Sequence, residues 1–393
     1  MSFARRLEIP EEVLEIARRL EAAGHEAWCV GGAIRDALLD IPHTDYDFAT
    51  SARPEEVQRL FRRTAAVGVK HGTVGVLDRR RVLHEVTTFR RDVATDGRHA
   101  VVEYGVSLDE DLARRDFTIN AIAYHPLRHE WRDPFGGTED LRRGLVRAVG
   151  DPAARFAEDY LRTLRAIRFA ARFGFTIEPA TWAAARAAAP GLTRLSAERV
   201  REEWFKSLRT AQDLGELVRL WHEVGAAPVW LPELASEAAT RLAAVTGGER
   251  DPVLLTSRLT TDPVAVLRRL KASRAEIGRA AAIMAGPAAP AGADEPAVRR
   301  WLARVGPATD DLLAVHALEH GAEPPWAATV RRVRERGDPV TRGDLAVTGA
   351  DIQALGATGP RVGEILGALL DRVLEDPSLN TRGRLLALAR ELA

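Results

Sequence analysis

What this 393-residue chain lacks narrows the reading first. It has a single cysteine, Cys29. No disulfide can close within the chain, and no zinc site can rest on cysteine pairs. That fits a reducing, cytoplasmic setting. Lysine is nearly absent: Lys70, Lys206 and Lys271 are the only lysines among 56 Lys+Arg. A charge excess is absent too, because Asp+Glu also number 56. Net charge therefore says nothing about an anionic partner. No run approaches the ~18 apolar residues of a membrane-spanning helix. The first twenty residues, "MSFARRLEIPEEVLEIARRL", mix acids with bases and have no signal-peptide apolar core.

Arginine supplies almost all the positive charge. Its planar fork matches phosphates and base edges better than an ammonium does. A coding bias towards Ala and Arg explains the overall excess, so single arginines must be argued from position. Hydrophobic residues make up 46% and charged residues 28%, which reads as a globular chain with ample core. The length suits about two to four domains.

Up to about residue 148 the pattern mixes α and β. Residues 10–23 have a helical period, with Pro10 near the start and Gly24 as the stop. "HEAWCVGGAIRDALL" reads as a strand (27–30), a Gly-Gly turn and a helix. "DYDFAT" reads as a second strand, and Pro54-Glu55-Glu56 opens another helix. "GTVGVLD" and "RVLHEVTTF" read as strands joined by a turn at 78–80, and "AVVEYGV" as a further strand. Beyond residue 148 strand signals nearly vanish and helical periodicity runs on. The segment 284–296, "MAGPAAPAGADEP", is the best linker candidate.

Asp45 and Asp47 stand two apart on the expected strand, so both carboxylates leave one face. Two such carboxylates repel unless a cation bridges them, and a hard oxygen set suits Mg²⁺ shared with substrate phosphates. Upstream, Gly31-Gly32 between strand and helix presents backbone N–H groups to an anion, with Arg35 one turn into the helix. Each piece alone is ordinary; in this order they are the equipment of two-metal phosphoryl or nucleotidyl transfer. Glu85 is a candidate third acid, or simply the outward polar residue of an alternating strand. His84 reads as a surface or core partner rather than a ligand.

"GGAIRD", "DYDFATSA", "RRDFTINAIAY" (114–124), "DPFGG" (133–137), "EDYLRTLRAIRF" (158–169) and "LSAERVREEWFKSL" (195–208) follow one another. In that order they resemble the motifs of the class II tRNA nucleotidyltransferase and bacterial poly(A) polymerase family. The stretch 343–370 is similar to the tail of the bacterial CCA-adding members. The resemblance implies an α+β fold: a mixed-sheet nucleotidyltransferase head of the DNA polymerase beta type (1–148), then a helical neck (149–210), body (211–284) and tail (285–393). It implies Mg²⁺ as cofactor, CTP and ATP as substrates, and the tRNA 3′ end as acceptor, with no membrane.

The resemblance also implies residue roles. Gly32 and Arg35 would cradle the triphosphate, and Asp45 and Asp47 would hold Mg²⁺. Arg115 would contact the nucleotide, with Asn120 near its sugar. Asp159 and Arg162 would hydrogen-bond the incoming base, with Arg165 and Arg168 near the triphosphate. A carboxylate beside a guanidinium can accept from an amino group and donate to a ring nitrogen. Cytosine and adenine both offer that pair; uracil and guanine put an oxygen where the amine should be. On one helix, three-residue steps drift by roughly 60°, so Arg162, Arg165 and Arg168 cannot all read one base.

The family's products are CCA, CC alone, A alone, or poly(A). The loop region 90–105 keeps an Asp-Gly-Arg (96–98) like that of CCA- and A-adding members, which favours those two. The Arg/Lys-rich extension of poly(A) polymerases is missing. "TVRRVRERG" (329–337) is a candidate phosphate-contacting run, or a solvated helix face. "GATGPRVGEIL" either offers a helix N-terminus to a phosphate or is a plain helix–helix turn. A non-catalytic tRNA-binding relative is the competing reading, as is transfer to a small molecule; the long helical second half argues for a macromolecular acceptor.

Overall fold

The computed structural model describes residues 6–43, 45–68, 72–95, 100–237 and 250–392. The chain forms two compact units, Met1–Leu234 and Ala235–Ala393. The Asp-Gly-Arg at 96–98 lies outside the described residues.

The first unit is built on a seven-stranded mixed sheet. Its strands are β1 (Ala27–Val30), β2 (Asp47–Thr50), β3 (Thr64–Gly68), β4 (Thr73–Leu77), β5 (Leu83–Thr88), β8 (Ala123–His125) and β9 (Glu130–Arg132), in the order β3-β4-β5-β2-β1-β8-β9. Only β2 and β5 run parallel; every other neighbouring pair is antiparallel. Strand β1, "AWCV", is buried on both faces, as a strand covered by other elements on both sides must be. "DYDFAT" enters the sheet two residues later than its sequence suggests, so Asp45 stands just ahead of β2. "AVVEYGV" does form a strand, β7 (Ala100–Tyr104), but it pairs with β6 (Arg90–Thr95) as a separate hairpin.

Helix α1 (Glu11–Ala22) begins after Pro10 with two glutamates in its first turn, and Gly24 follows with φ +85°. Helix α2 (Gly32–Leu38) follows directly on β1 because Gly31 takes φ +72°. Helix α4 (Leu108–Ala113) packs its Leu108 and Leu112 with Trp28, Ala49 and Phe89 of the sheet region. Within "DPFGG", Asp133 accepts from the N–H groups of Gly137 and Thr138 and so caps α5 (Gly137–Arg143). The remaining α-helices among the described residues of this unit are α3 (Pro54–Leu60), α6 (Pro152–Glu158), α7 (Leu161–Phe173), α8 (Pro179–Ala187), α9 (Ala197–Thr210), α10 (Leu214–Glu223) and α11 (Ala227–Trp230). A short parallel pair, Leu145–Val146 with Thr176–Ile177, joins the end of the sheet region to the helices.

Among its described residues the second unit is helical. One hydrophobic cluster gathers around Trp301, Val305, Leu312 and Val330, another around Ile365, Leu369 and Leu385. Arg299, buried, spans the two. It pairs with Asp338 at 3.0 Å and donates to Leu374 O and Glu375 O, carbonyls at the C-terminal end of helix Pro360–Glu375 that the helix itself leaves unpaired. The linker candidate at 284–296 runs between two helices of this unit and is tied in place, its Pro287 O accepting from the Trp301 indole. In the basic run, Arg331 pairs with Glu323, Arg334 with Asp310, and Arg336 with Glu295 and Asp338. The run is neutralised locally instead of standing as a bare cationic stripe. "GATGPRVGEIL" runs from the turn after helix Gly349–Gln353 through the N-cap Gly359 into the first turns of helix Pro360–Glu375.

Among the described residues no helix is long and apolar enough to cross a membrane. A Cβ at Gly137 would overlap the Thr118 carbonyl oxygen and lie 2.7 Å from its carbon. Backbone cannot yield as a flexible side chain can, so Gly137→Ala should destabilise by at least about 1–3 kcal/mol; calorimetric melting measures it.

Candidate active site

Register brings the acids together. Val30 stands opposite Asp47 across β1 and β2, and Phe48 stands opposite Val86 across β2 and β5. Side chains alternate along a strand, so Asp47 and Glu85, each one residue earlier, share a face. The same face carries Trp28, Val30, Ala49 and Phe89 into a hydrophobic cluster. Acid thus occupies one end of a face and core the other. Tyr46, between the two aspartates, is buried; its N–H donates to Nδ1 of the buried His84 at 3.1 Å. His84 is therefore a core partner that fixes the peptide between Asp45 and Asp47.

Burial pushes the Asp47 carboxyl up to about 7; the charges of Glu85 and Asp45 push the same way, and Arg115 opposes them. A carboxylate with too little positive charge around it, beside two more acids, is an oxygen-only donor set that fits a hard divalent cation. Among the described residues no three acidic, histidine or cysteine side chains close into a ready-made metal cage. A cation held here would complete its shell with substrate oxygens or water, the usual habit of Mg²⁺.

The opposite wall departs from the single helix expected over 158–169. Helix α6 ends at Glu158, and Asp159 is extended, with φ −154° and ψ 105°. Its Oδ1 accepts from the Leu161 N–H at 3.0 Å. A short carboxylate that bonds the backbone two residues on competes with helix continuation, so the chain breaks there and restarts as α7. Asp159 and Arg162 are consequently not i, i+3 neighbours on one helix. Asp159 pairs with Arg199 of α9 at 2.6 Å, and Arg162 with Glu158 at 2.6 Å.

The arginines of α7 do diverge as the three-residue step requires. Arg162 also donates to Arg114 O, Arg165 pairs with Asp116 at 2.7 Å, and Arg168 pairs with Glu203 at 2.6 Å. Asn120 uses its amide both ways, accepting from Arg35 at 2.5 Å and donating to Asp116 at 2.9 Å. Arg35 is buried, bonded to Asp36, and lies about 5 Å from the ring centroids of Phe169 and Phe173. Asp36 in turn accepts from Arg172 at 2.8 Å. Arg115 pairs with Asp111 at 3.3 Å, and a Cβ on Gly31 would lie 3.0 Å from its guanidinium; glycine lets that group approach the turn.

These side chains surround one cavity of about 750 Å³. Gly32, Arg35, Asp45, Asp47, Arg115, Asn120, Asp159, Arg162, Arg165 and Arg168 all line it, and so does Glu85. Sequence reading missed Asp116, Glu203, Arg199 and Phe169, which also face or organise it. Asp116, Glu203 and Arg199 lie inside the stretches "RRDF" and "LSAERVREEWFKSL"; a search for acids able to pair the α7 arginines would have found two of them. Phe169 has the guanidinium carbons of Arg35, Arg165 and Arg168 at 5.0, 5.4 and 4.2 Å from its ring centroid, an arrangement that only folding reveals.

With this geometry in place, comparison with known proteins is informative. The family model "Poly A polymerase head domain" matches residues 27–147, and "Probable RNA and SrmB- binding site of polymerase A" matches residues 174–237. The chain is 36% identical to the CCA-adding enzyme of Lacticaseibacillus paracasei, over 97% of this chain and 96% of that one. It belongs to the CCA-adding enzyme family. It is also 37% identical to the CCA-adding enzyme of Geobacillus stearothermophilus, over 96% of both chains. The crystal structure of the Bacillus stearothermophilus CCA-adding enzyme in complex with CTP superposes with a TM-score of 0.83 at 35% identity, covering 97% of this chain and 96% of that one. The fold is accordingly the polymerase beta-like nucleotidyltransferase head followed by helices, and nucleotidyltransferases of this kind use a divalent metal.

Asp47 and Asp116 give opposite pH signatures. Asp47 lies above its ordinary value, so its favourable contribution is full below about pH 4 and is lost as pH rises through 7. For Asp116, burial would raise the carboxyl, but Arg165, the Asn120 amide and Arg162 hold it well below the carboxylate range. Its contribution is present above about pH 4 and is lost as pH falls below that. In chelator-treated protein, Asp47→Asn should flatten the decline in melting temperature between about pH 5 and pH 8 and melt above the parent at the upper end. Asp116→Ala leaves Arg165 with the longer 3.9 Å pair to Glu203 and takes the acceptor from the Asn120 amide; it should cost on the order of 3 kcal/mol in urea unfolding at pH 7.

Proposed function

We propose that this protein adds C and A from CTP and ATP to the 3′ end of tRNA, completing or repairing CCA without a nucleic-acid template and releasing pyrophosphate. The observation that carries the reading is the cavity's division: acids on the sheet side, and on the helical side a carboxylate among arginines. The CCA-adding relatives match over nearly the whole chain, which supports a tRNA acceptor over a small molecule.

Mg²⁺, held by Asp45 and Asp47 with Glu85 beside them, would supply charge stabilisation at the α-phosphate and help ionise the attacking hydroxyl. The remaining work falls to the chain. The turn at Gly31 and Gly32 offers backbone N–H groups to the triphosphate, and Arg115 places a guanidinium beside that turn. Asp159 accepts from the amino group of cytosine or adenine, while a neighbouring guanidinium, Arg162 or Arg199, donates to the ring nitrogen. Uracil and guanine would set an oxygen lone pair against the carboxylate. The tRNA 3′-oxygen attacks the α-phosphorus, the bond to the β-phosphate oxygen breaks, and the proton leaves with solvent.

The test supplies tRNA ending at the discriminator base, at C or at CC, with each of the four nucleotides, and sequences the 3′ ends. CCA addition predicts extension of all three acceptors with CTP and ATP. Extension from the CC end alone would mark an A-adding enzyme, and extension that stops at CC a CC-adding one. No extension of any acceptor sinks the catalytic reading. Asp47→Ala should abolish extension while leaving tRNA binding nearly intact. Asp159→Ala should raise UTP or GTP use relative to CTP.

A further inference from the structure

The break at Asp159 exposes a device that the motif pattern does not contain. Tyr160 immediately follows the extended residue and is the N-cap of α7. Its ring lies on the Cα of Gly191, in the 3-10 turn Ala189–Arg194. A Cβ on Gly191 would overlap Cδ1, Cε1 and Cζ of that ring. Gly191 has no positive φ, so clearance for the tyrosine, and not backbone conformation, is what demands glycine here. Across the ring, the Arg194 guanidinium carbon lies 5.8 Å from its centroid, within range of a cation–π contact. Among the described residues the Tyr160 hydroxyl makes no hydrogen bond. The 3-10 turn is itself anchored: Leu192 is fully buried and its carbonyl accepts from the Trp230 indole at 3.0 Å.

Asp159 has three further restraints: the Leu161 N–H on Oδ1, Arg199 on Oδ2, and the Arg162 N–H on its backbone carbonyl at 3.0 Å. The first two act on the carboxylate, and the third ties the carbonyl to the first turn of α7. None of them fixes how that first turn sits against the turn Ala189–Arg194; the Tyr160 ring, seated on Gly191, does. We propose that Gly191 and Tyr160 are positioning residues for nucleotide choice: together they fix the peptide that aims Asp159, and so set how strictly amino-bearing bases are preferred. The proposal rests on the base-reading role of Asp159 argued above.

The test compares base choice, as the ratio of UMP and GMP addition to CMP and AMP addition, in Gly191→Ala, Tyr160→Ala, Tyr160→Phe, the Gly191→Ala/Tyr160→Ala double variant, and Asp159→Ala. Melting temperatures are taken alongside. Gly191→Ala expels the ring and should raise the ratio by on the order of tenfold, and Tyr160→Ala by a similar factor. Tyr160→Phe keeps the ring and should match the parent. With the ring already gone, Gly191→Ala has nothing left to displace, so the double variant should match Tyr160→Ala alone. A structural defect unrelated to base choice would lower melting temperature and overall rate while leaving the ratio alone, which overturns the proposal. If Asp159→Ala relaxes base choice but neither Gly191→Ala nor Tyr160→Ala does, the proposal falls and the base-reading role stands. If Asp159→Ala leaves base choice unchanged, both fall. Should Gly191→Ala not fold, Tyr160→Ala against Tyr160→Phe decides alone.

Discussion

Guanidinium groups packed into one protein wall repel each other, and burial removes the water that would screen them. The cavity wall of the first unit has to meet that constraint for Arg35, Arg165, Arg168 and Arg172 at once. It does so with acids: Asp36, Arg35's neighbour on α2, between Arg35 and Arg172, and from other elements Asp116 on Arg165 and Glu203 on Arg168. Phe169 adds an aromatic face close to three of the cations. Burial lowers the pKa of Arg35 and of Arg168, with acidic partners opposing the shift. For Arg165, Asp116 and Glu203 outweigh burial and raise it. The charges are retained because each is paired, and the pairing docks helix α7 against the sheet-bearing region.

The arrangement has a functional corollary. Asp116 and Asn120 come from the stretch between α4 and β8, Arg35 and Asp36 from the helix after the glycine turn, and Arg165, Arg168 and Arg172 from α7. The ion pairs that neutralise the wall therefore also hold the α7 arginines across the cavity from Asp45 and Asp47. On the sheet side the balance is reversed: Asp47 faces two other acids, with Arg115 against them. One wall has its charge satisfied within the protein and the other calls for a cation from outside. A nucleoside triphosphate with its metal ion fits between two such walls.

Much of this was legible in the sequence because it is local. A strand, a Gly-Gly turn and a helix can be read from "WCVGGAIRDALL", and the structure has each of them. Period-two geometry placed Asp45 and Asp47 on one strand face; β2 begins only at Asp47, yet both still line the cavity. The cavity gathers every residue the motifs singled out. What the sequence hid is long-range or depends on competition. The break at Asp159 was invisible because the surrounding pattern is strongly helical, and only the bond from the Leu161 N–H to its side chain tips the balance. The pairs Arg165–Asp116 and Arg168–Glu203 cross 49 and 35 residues, beyond any helical spacing rule. The arginines of 329–337 found acids such as Glu295 and Asp310 that only tertiary packing brings near. Gly191 reads in the sequence only as part of a helix-punctuating Pro-Gly; the ring that requires it comes from a distant helix start.

The central claim is that one protein surface reads both cytosine and adenine through Asp159 while Asp45 and Asp47 face the phosphates. Crystal structures of this protein soaked separately with CTP and with ATP test it most directly. The account predicts the N4 amine of cytosine and the N6 amine of adenine within hydrogen-bond distance of the Asp159 carboxylate, with the triphosphate between the Gly31–Gly32 turn and Asp45 and Asp47. Bases that stack elsewhere in the cavity, with Asp159 still held only by Arg199 and the Leu161 N–H, would contradict it.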